Sequence, residues 1–449
     1  MSVSDAQYEE WLADIDSVRV LLAELDYSGG TAYVATAPFI STPNDSDPNR
    51  VYDDILEEAV DATTRIDGLV SFGEVGLIND GELNPWIDRA WNGWPIRLYL
   101  GDPTWSRDDF RLWARGVNGG ISTAQIGRLA FRMLDTSAGL DVEIDTGDLP
   151  NENGPIPLAL GSVYNAPAFL LQPAPYEFKA SFLPVLELTP KDNGNPIPHT
   201  DNLSNGSFEI PSGLVGTLTV DIEEQNNTPA LVAQWVANEY GVVIDTIDLP
   251  DYTVGLYYKN RVSGRKILDD LCEGIGAYWY INRVGEMVIR QQTVPTEASA
   301  VILGDDIAQD QVRLTETQSP WRDYSLQYKQ NHNTLTTVAD TVNDTEAERL
   351  KRQWQEDRQR QSVDDYPLAE SVTRPSVLQS QADAATEVAR VLSIRSVRRD
   401  IWSIETFTPQ VNEGDAVTVE VDLMAGKVGR VISIARSPTR GETSLEVWI

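Results

Sequence analysis

Cysteine and histidine are almost absent from this 449-residue sequence, which contains only Cys272, His199 and His332. A single cysteine excludes an intramolecular disulfide framework and any zinc site or iron–sulfur cluster built from several thiolates. The two histidines lie far apart in the chain, and we expect each to be a polar surface residue. The sequence therefore offers no pattern for catalysis by thiol, imidazole or zinc.

Cys272 follows a run with helical apolar spacing, residues 267–271, and we expect it to be a buried small hydrophobe. Its neighbours Asp269, Asp270 and Glu273 would raise the pKa of the thiol. A nucleophilic cysteine needs the opposite environment, because the thiolate is the reactive species. A cysteine–histidine peptidase is accordingly disfavoured.

Basic residues are also scarce, since 35 Lys and Arg stand against 69 Asp and Glu and give a net charge of −34. Stable nucleic-acid binding is disfavoured, because cations that neutralise phosphates supply most of its affinity. Evenly scattered acids are typical of a solvated, self-repelling surface. The functional alternative is a surface past which DNA moves without binding.

Long apolar runs are missing, because no stretch approaches the roughly 18 residues that a membrane helix needs. The N-terminus has neither the basic nor the apolar region of a signal peptide. We therefore expect synthesis in a cytoplasm and no insertion into a membrane. The 41% of hydrophobic residues, including 12 Trp, is enough for several cores, and the length suggests about three domains.

Catalytic motifs are equally scarce, because no phosphate-binding glycine loop, HExxH or GxSxG occurs. The pairs Asp108–Asp109 and Asp269–Asp270 leave glycoside cleavage open, although adjacent carboxylates need not converge on one bond. The turn at residues 44–47 offers oxygens to Ca²⁺, but an Asx-type turn is the better interpretation. We predict no catalytic, cofactor-binding or metal-ligating residue and no enzymatic activity.

In the first third of the chain, alternating apolar residues predict strands at 19–26, 31–36, 96–101 and 110–117, the first two forming a hairpin. Helices are predicted at 5–14, with Tyr8, Trp11 and Leu12 on one face, and at 82–94. Five tryptophans lie close together in this region, and we expect them to pack a core or to lie at a subunit contact. They are Trp86, Trp91, Trp94, Trp105 and Trp113.

The remaining chain divides by composition into three segments. Residues 149–226 are rich in proline and end in a hairpin-like pair, 206–210 with 216–223. Residues 227–299 combine helices at 229–239 and 264–273 with two strands around a turn at 283–285. In 300–449, helices at 345–361 and 383–394 precede four strands that favour a small barrel or sandwich. With 1–148 as the first domain, the sequence predicts an α+β, β-dominated multi-domain fold.

In this order, the segments resemble the tail-tip or baseplate hub proteins of tailed bacteriophages. Each motif alone is unspecific, and the resemblance rests on an ordered series that covers nearly the full length. The series comprises VLLAELDY (20–27), the loop 42–49, YDDIL (52–56), GELNPW (81–86), LYLGD (98–102), DFR (109–111), IPLALG (156–161), NAP (165–167), VGLYY (254–258), GAYWY (276–280), GD (414–415), GRV (429–431) and LEVW (445–448).

The resemblance implies a homotrimer in which each subunit contributes two tube-like β-barrel or sandwich domains to a pseudo-sixfold ring. The first of these domains would be residues 17–148, which lie within the predicted first domain, 1–148. The second would be about 300–449, and the Pro-rich segment and the central α+β module would lie between the two. The implied role is a structural virion protein at the tail tip. It would link the tail tube to the central fibre or spike and form part of the DNA ejection channel used for host entry.

The implied partners are further copies of the chain, the distal tail ring, the tape measure and the fibre or spike, while DNA passes without specific binding. Assembly would take place in the host bacterial cytoplasm. No iron–sulfur cluster or lytic domain is implied, because the cysteines and the spare length are missing. Two alternatives stay open: a hexameric distal tail ring protein, and a virion-associated peptidoglycan hydrolase.

Overall fold

β-strands are the predominant secondary structure, which confirms the predicted β-dominated α+β fold. The computed structural model describes residues 2–57, 60–66, 70–150, 153–211, 214, 216–408, 410–424, 426–439 and 441–449, apart from the side chains of residues 309 and 310.

The N-terminal part is an eight-stranded sheet with the order β3-β4-β2-β1-β8-β9-β10-β7, preceded by helix α1. Strand β1 lies in the middle and is buried on both faces, so it has a continuous apolar run instead of alternation. Leu21 and Leu25 join one core, whereas Val20 and Leu22 join a second one with Phe110. The elements are α1 (Asp5–Ala13), β1 (Val20–Tyr27), β2 (Gly30–Ala35), β3 (Phe39–Ile40), β4 (Val51–Asp54), β5 (Ala62–Arg65), β6 (Val70–Phe72), β7 (Glu74–Asn79), β8 (Pro95–Gly101), β9 (Arg111–Gln125) and β10 (Gly127–Leu134).

The middle of the chain contains three smaller sheets with the orders β15-β14-β18-β11-β20, β12-β13-β17-β16 and β19-β22-β21. Helices α2 and α3 pack in one core with strands of the first and third sheets. The elements are β11 (Leu158–Pro167), β12 (Phe169–Pro173), β13 (Tyr176–Lys179), β14 (Glu187–Asp192), β15 (Asn195–Pro196), β16 (Thr200–Asn202), β17 (Ser207–Ile210), β18 (Leu218–Glu223), α2 (Pro229–Tyr240), β19 (Ile244–Asp248), β20 (Gly255–Tyr258), α3 (Gly264–Gly274), β21 (Ala277–Ile281) and β22 (Met287–Gln291).

The C-terminal part contains a sheet with the order β23-β29-β30-β31-β28-β24 and a separate sheet with the order β26-β25-β27. Helix α5 and strand β25 share the core of the central helices, through residues such as Val388 and Leu326. The elements are β23 (Ala300–Ile302), β24 (Ile307–Gln318), β25 (Trp321–Tyr328), α4 (Asp344–Lys351), β26 (Gln355–Arg360), β27 (Glu370–Pro375), α5 (Gln381–Arg395), β28 (Arg399–Thr406), β29 (Ala416–Val419), β30 (Val428–Arg436) and β31 (Thr443–Trp448).

The predicted hairpin of β1 and β2 is confirmed, with Tyr27 opposite Gly30, and so are helices α2, α3 and α5. The pairing of β21 with β22 is confirmed as well. These elements have strong local signals, because hydrophobic periodicity and turn residues agree within each segment.

Three predicted elements are wrong. The segment predicted as a helix at 82–94 forms only a 3₁₀ turn at Asn84–Trp86. The backbone of Gly93 is left-handed, with a φ of 82°, which a right-handed helix does not allow. The indole of Trp91 donates to the backbone carbonyl of Trp86 at 2.7 Å. The helix at 345–361 ends at Lys351, and its second half is strand β26. Pairing with β25 decides this conformation, because the tertiary context overrides the favourable helix propensity of the Gln, Glu and Arg residues in this segment.

The third error concerns the hairpin-like pair in the Pro-rich segment. Strand β17 pairs with β13 and β16, whereas β18 pairs with β11 and β14 in another sheet. Both strands have the expected alternation, but alternation does not specify a partner.

Helix α3 offers a test of the central core. Leu268 is fully buried, whereas Leu231 on α2 is exposed. We expect Leu268→Ala to lower the free energy of unfolding by about 2–5 kcal/mol through lost burial and a cavity. Leu231→Ala, the matched control, should change it by less than about 0.5 kcal/mol. Urea denaturation measures both, and equal losses would contradict the assignment of the core.

Candidate functional site

The cysteine lies where the sequence predicts. Cys272 is buried in helix α3, and burial, with the nearby charge of Asp269, raises the pKa of its thiol well above the usual range. A neutral, enclosed thiol is a poor nucleophile. The side chain therefore acts as part of the hydrophobic core.

The two histidines differ in their surroundings, although each residue is partly exposed. His199 remains partly exposed, and its Nε2 lies 3.2 Å from a carboxylate oxygen of Asp201. The Nε2 of His332 is buried and has no hydrogen-bond partner among the residues that the structure describes, and its ring lies 5.2 Å from that of Tyr257. Burial, with the charge of Lys259, lowers the pKa of His332 to about 4.

The candidate carboxylate pairs do not converge. Asp108 accepts from the backbone N–H and the hydroxyl of Ser46 at 2.8 and 2.6 Å, while Asp109 accepts from the N–H of Val3 at 2.8 Å. These bonds connect Asp108 and Asp109 to two different segments of the chain. Asp108 and Asp109 therefore hold neighbouring loops in place.

The second pair is likewise engaged on helix α3. Asp269 accepts from the indole of Trp279 at 2.8 Å, and Asp270 accepts from the hydroxyl of Tyr258 at 2.9 Å and from Lys266. Each carboxylate therefore anchors an aromatic side chain beside the helix.

The acidic turn at residues 44–47 is closed by hydrogen bonds to Asp45, which is buried. Asp45 accepts from the N–H of Thr42, from the hydroxyl of Ser106 and from the N–H of Arg107. Despite partial desolvation, these bonds lower the pKa of Asp45 to about 2. The oxygens of this carboxylate thus join two loops.

Within the part of the chain that the structure describes, no three His, Cys, Asp or Glu side chains group closely enough to hold a metal ion. None of the described helices is long and apolar enough to cross a membrane.

The five clustered tryptophans have different surroundings. Trp91 and Trp113 are buried, and the ring of Trp91 lies 4.7 Å from that of Phe131. Trp105 packs against Trp11 of α1 at 4.8 Å, and Trp94 is 41% exposed. Core packing therefore explains Trp91 and Trp113, and Trp105 anchors the N-terminal helix.

Two arginines of the N-terminal part form ion pairs with carboxylates of strand β1. Arg97 lies 2.9 Å from Asp26 and 3.1 Å from Glu24, and Arg107 lies 2.8 Å from Glu24. Such pairs fix side-chain positions in a sheet whose carboxylates would otherwise repel each other.

The feature that organises the two large β parts is the pair β5–β6. The two strands lie in the N-terminal third of the sequence, yet β5 pairs with β30 of the C-terminal sheet, and Ala62 lies opposite Arg436. The N–H of Ile66 donates to the carbonyl of Ile432 at 3.0 Å, and Arg65 lies 3.1 Å from Glu446. The C-terminal sheet is therefore extended by strands of the N-terminal part.

Sequence reasoning missed this junction. Strands β5 and β6 have four and three residues, and neither has a strong apolar alternation. Only a three-dimensional partner makes such short segments into strands.

Comparison with known proteins gave matches only at the level of three-dimensional structure. No family model matches the chain, and a search of curated proteins found no match. The solved structures that are similar to it include the 43 kDa tail protein of prophage MuSo2 from Shewanella oneidensis, with 11% identity, coverage of 96% of this chain and 98% of that chain, and a TM-score of 0.47.

Two further similar structures are also tail proteins. A tail protein from Neisseria meningitidis MC58 has 10% identity, covers 96% of this chain and 97% of its own, and has a TM-score of 0.47. Prophage tail protein gp18 from Listeria monocytogenes EGD-e has 8% identity, coverage of 96% and 94%, and a TM-score of 0.43. At these scores the likeness assigns neither a family nor a function to this chain.

The position of His332 gives a test in pH. Because folding lowers its pKa from 6.5 to about 4, the neutral ring stabilises the fold above pH 6.5, and this contribution is lost as the pH falls toward 4. We expect up to about 3 kcal/mol of acid destabilisation from this group. Replacement His332→Asn should flatten the stability profile between pH 6.5 and 4, measured by urea denaturation, whereas His199→Asn should leave that slope in place. A profile unchanged by His332→Asn would contradict the assignment.

The junction can be tested by removing one hydrogen-bond donor. Since N–H groups alternate in direction along a strand, that of Thr64 faces β30, like that of Ile66, while that of Thr63 faces β6. We expect Thr64→Pro to split thermal unfolding into two calorimetric transitions, because the two β parts lose their connection. Thr63→Pro is the control and should weaken the connection between the two β parts less, because it removes a donor that faces β6. Identical thermograms for the two variants would contradict this account.

Proposed function

We propose that the protein is a structural component of a bacteriophage tail tip, with no enzymatic activity. As a baseplate hub, it links the tail tube to a central fibre or spike and forms part of the DNA ejection channel. It works in the virion after assembly in the host bacterial cytoplasm. Its partners are two further copies of itself, the distal tail ring, the tape measure and the fibre or spike.

The observation that carries this proposal is the extension of the C-terminal sheet by β5 and β6. A trimer can continue a sixfold tube only if each subunit supplies two β units in a fixed relation. A shared hydrogen-bonded sheet fixes that relation far better than a flexible linker does. This geometry agrees with the role that the sequence resemblance implies.

The chemistry of the candidate residues also favours a scaffold. Cys272 is enclosed, the four carboxylates of the two pairs serve as hydrogen-bond acceptors, and Asp45 closes a loop. A hydrolase would need two carboxylates on opposite sides of an open cleft. These residues stabilise loops and aromatic rings instead.

The copy number tests the proposal most directly. We expect native mass spectrometry of the isolated assembly to give three times the mass of the 49.8 kDa chain. Six copies would overturn the hub assignment in favour of a distal tail ring. The peptidoglycan hydrolase would instead be established if the protein released soluble fragments from cell walls. This activity would have to be lost in Asp270→Asn and retained in Asp251→Asn.

The acidity has a function in this proposal. A pore lined by carboxylates repels phosphates, so DNA passes without binding. An electron cryomicroscopy map of the assembly should show acidic side chains lining a central pore. A basic or uncharged lining would contradict the proposed DNA channel. The copy number would still test the hub assignment separately.

A further inference from the structure

Four arginines surround one cavity of about 110 Å³ at the meeting point of three parts of the chain. Arg19 and Arg111 belong to the N-terminal part, Arg283 to the turn between β21 and β22, and Arg436 to the end of β30. Helix α1 contributes Tyr8 and Glu9 to the walls. Such a concentration of cations is unexpected in a chain with only 35 Lys and Arg among 449 residues.

Two of the four cations donate only to backbone carbonyls within the described part of the chain. Arg283 donates to the backbone carbonyl of Trp113 at 2.5 Å, and Arg19 donates to that of Leu12 at 2.9 Å. Among the described residues, no Asp or Glu oxygen lies within 4 Å of either guanidinium, although 69 acids are available in the sequence. By contrast, Arg111 lies 2.9 Å from Asp5, and Arg436 lies 3.2 Å from Glu413.

The lowered pKa values of two of these arginines show that their charges are unfavourable in this cavity. Burial, with the nearby charge of Arg436, lowers the pKa of Arg283 to about 10, and burial also lowers that of Arg19. Uncompensated cations in a partly desolvated place are unfavourable unless an anion neutralises them. The carboxylates of Glu413 and Glu9 offset this cost only in part, because the pKa of Arg283 stays lowered.

The donor geometry leaves room for such an anion. A guanidinium has five N–H groups, and only one nitrogen of Arg283 is used by a protein acceptor within the described part of the chain. A cavity of about 110 Å³ holds a few water molecules, or one carboxylate or phosphate group in their place.

We propose that this cavity is a binding site for a small oxyanion, of the phosphate, sulfate or carboxylate type. Arg283 and Arg19 supply the unpaired positive charge, and Arg111 and Arg436 complete the walls. Charge-assisted bonds from arginine forks suit planar and tetrahedral oxyanions. Because the walls come from three parts of the chain, the bound anion joins them.

Glu9 acts against the incoming anion. Its side chain lies at the cavity on an exposed helix and has the same sign of charge as the ligand. Glu9→Gln should therefore strengthen anion binding a few-fold. Glu10→Gln removes the same charge from the next residue, which is exposed and outside the cavity, and should have a smaller effect.

Isothermal titration calorimetry of the full chain with inorganic phosphate tests the site, with sodium chloride at matched ionic strength as the reference. Parallel titrations with sulfate and acetate distinguish tetrahedral from planar oxyanions. We expect Arg283→Gln to weaken phosphate binding about tenfold or more, because one charge-assisted bond is lost. Arg360→Gln is the control, since it removes the same charge from an exposed position on β26.

The outcomes separate clearly. The proposal is supported if phosphate binding is saturable and its affinity is lower in Arg283→Gln, unchanged in Arg360→Gln and higher in Glu9→Gln. No saturable heat with any of the three anions, or equal losses in the two arginine variants, would overturn it. If Arg283→Gln fails to fold, as judged by circular dichroism, Glu9→Gln against Glu10→Gln still decides, and equal affinities in that pair would refute the site.

Discussion

The backbone pairing of β5 with β30 is the constraint on which the arrangement of the two large sheets depends. Among the described strands, β5 is the one of the N-terminal part that pairs with the C-terminal sheet. Strand pairing adds directional hydrogen bonds at a fixed register, and the ion pair of Arg65 with Glu446 lies beside them. The two sheets are therefore joined by backbone hydrogen bonds and by an ion pair across one strand junction.

Much of the fold follows from local signals in the sequence. The hairpin of β1 and β2 and helices α2 and α3 were predictable, because apolar periodicity and capping residues such as Thr228 agree within each segment. Strand β26 was not predictable, because its six charged or amide residues become a strand only by pairing with β25. The partners of β17 and β18 were also inaccessible, since alternation specifies a face and not a neighbour.

The candidate site shows the same division. Burial of Cys272 followed from helical spacing, and the acidic residues beside it were visible in the sequence. The position of His332 could not be predicted, because the groups that enclose it, such as Tyr257, come from another part of the chain. The arginines around the cavity are likewise distant in sequence, and only the packing of three parts brings them together.

The pairing of β5 with β30 also has a consequence for biosynthesis. Arg65 and its partner Glu446 are 381 residues apart, so a ribosome adding about 5–20 residues per second needs roughly 20 to 75 seconds between them. During that interval β5 leaves the ribosome with an unpaired edge, which is a template for pairing with another chain. Its short length, four residues with three of them polar, keeps this edge a poor nucleus for aggregation until the last strands emerge.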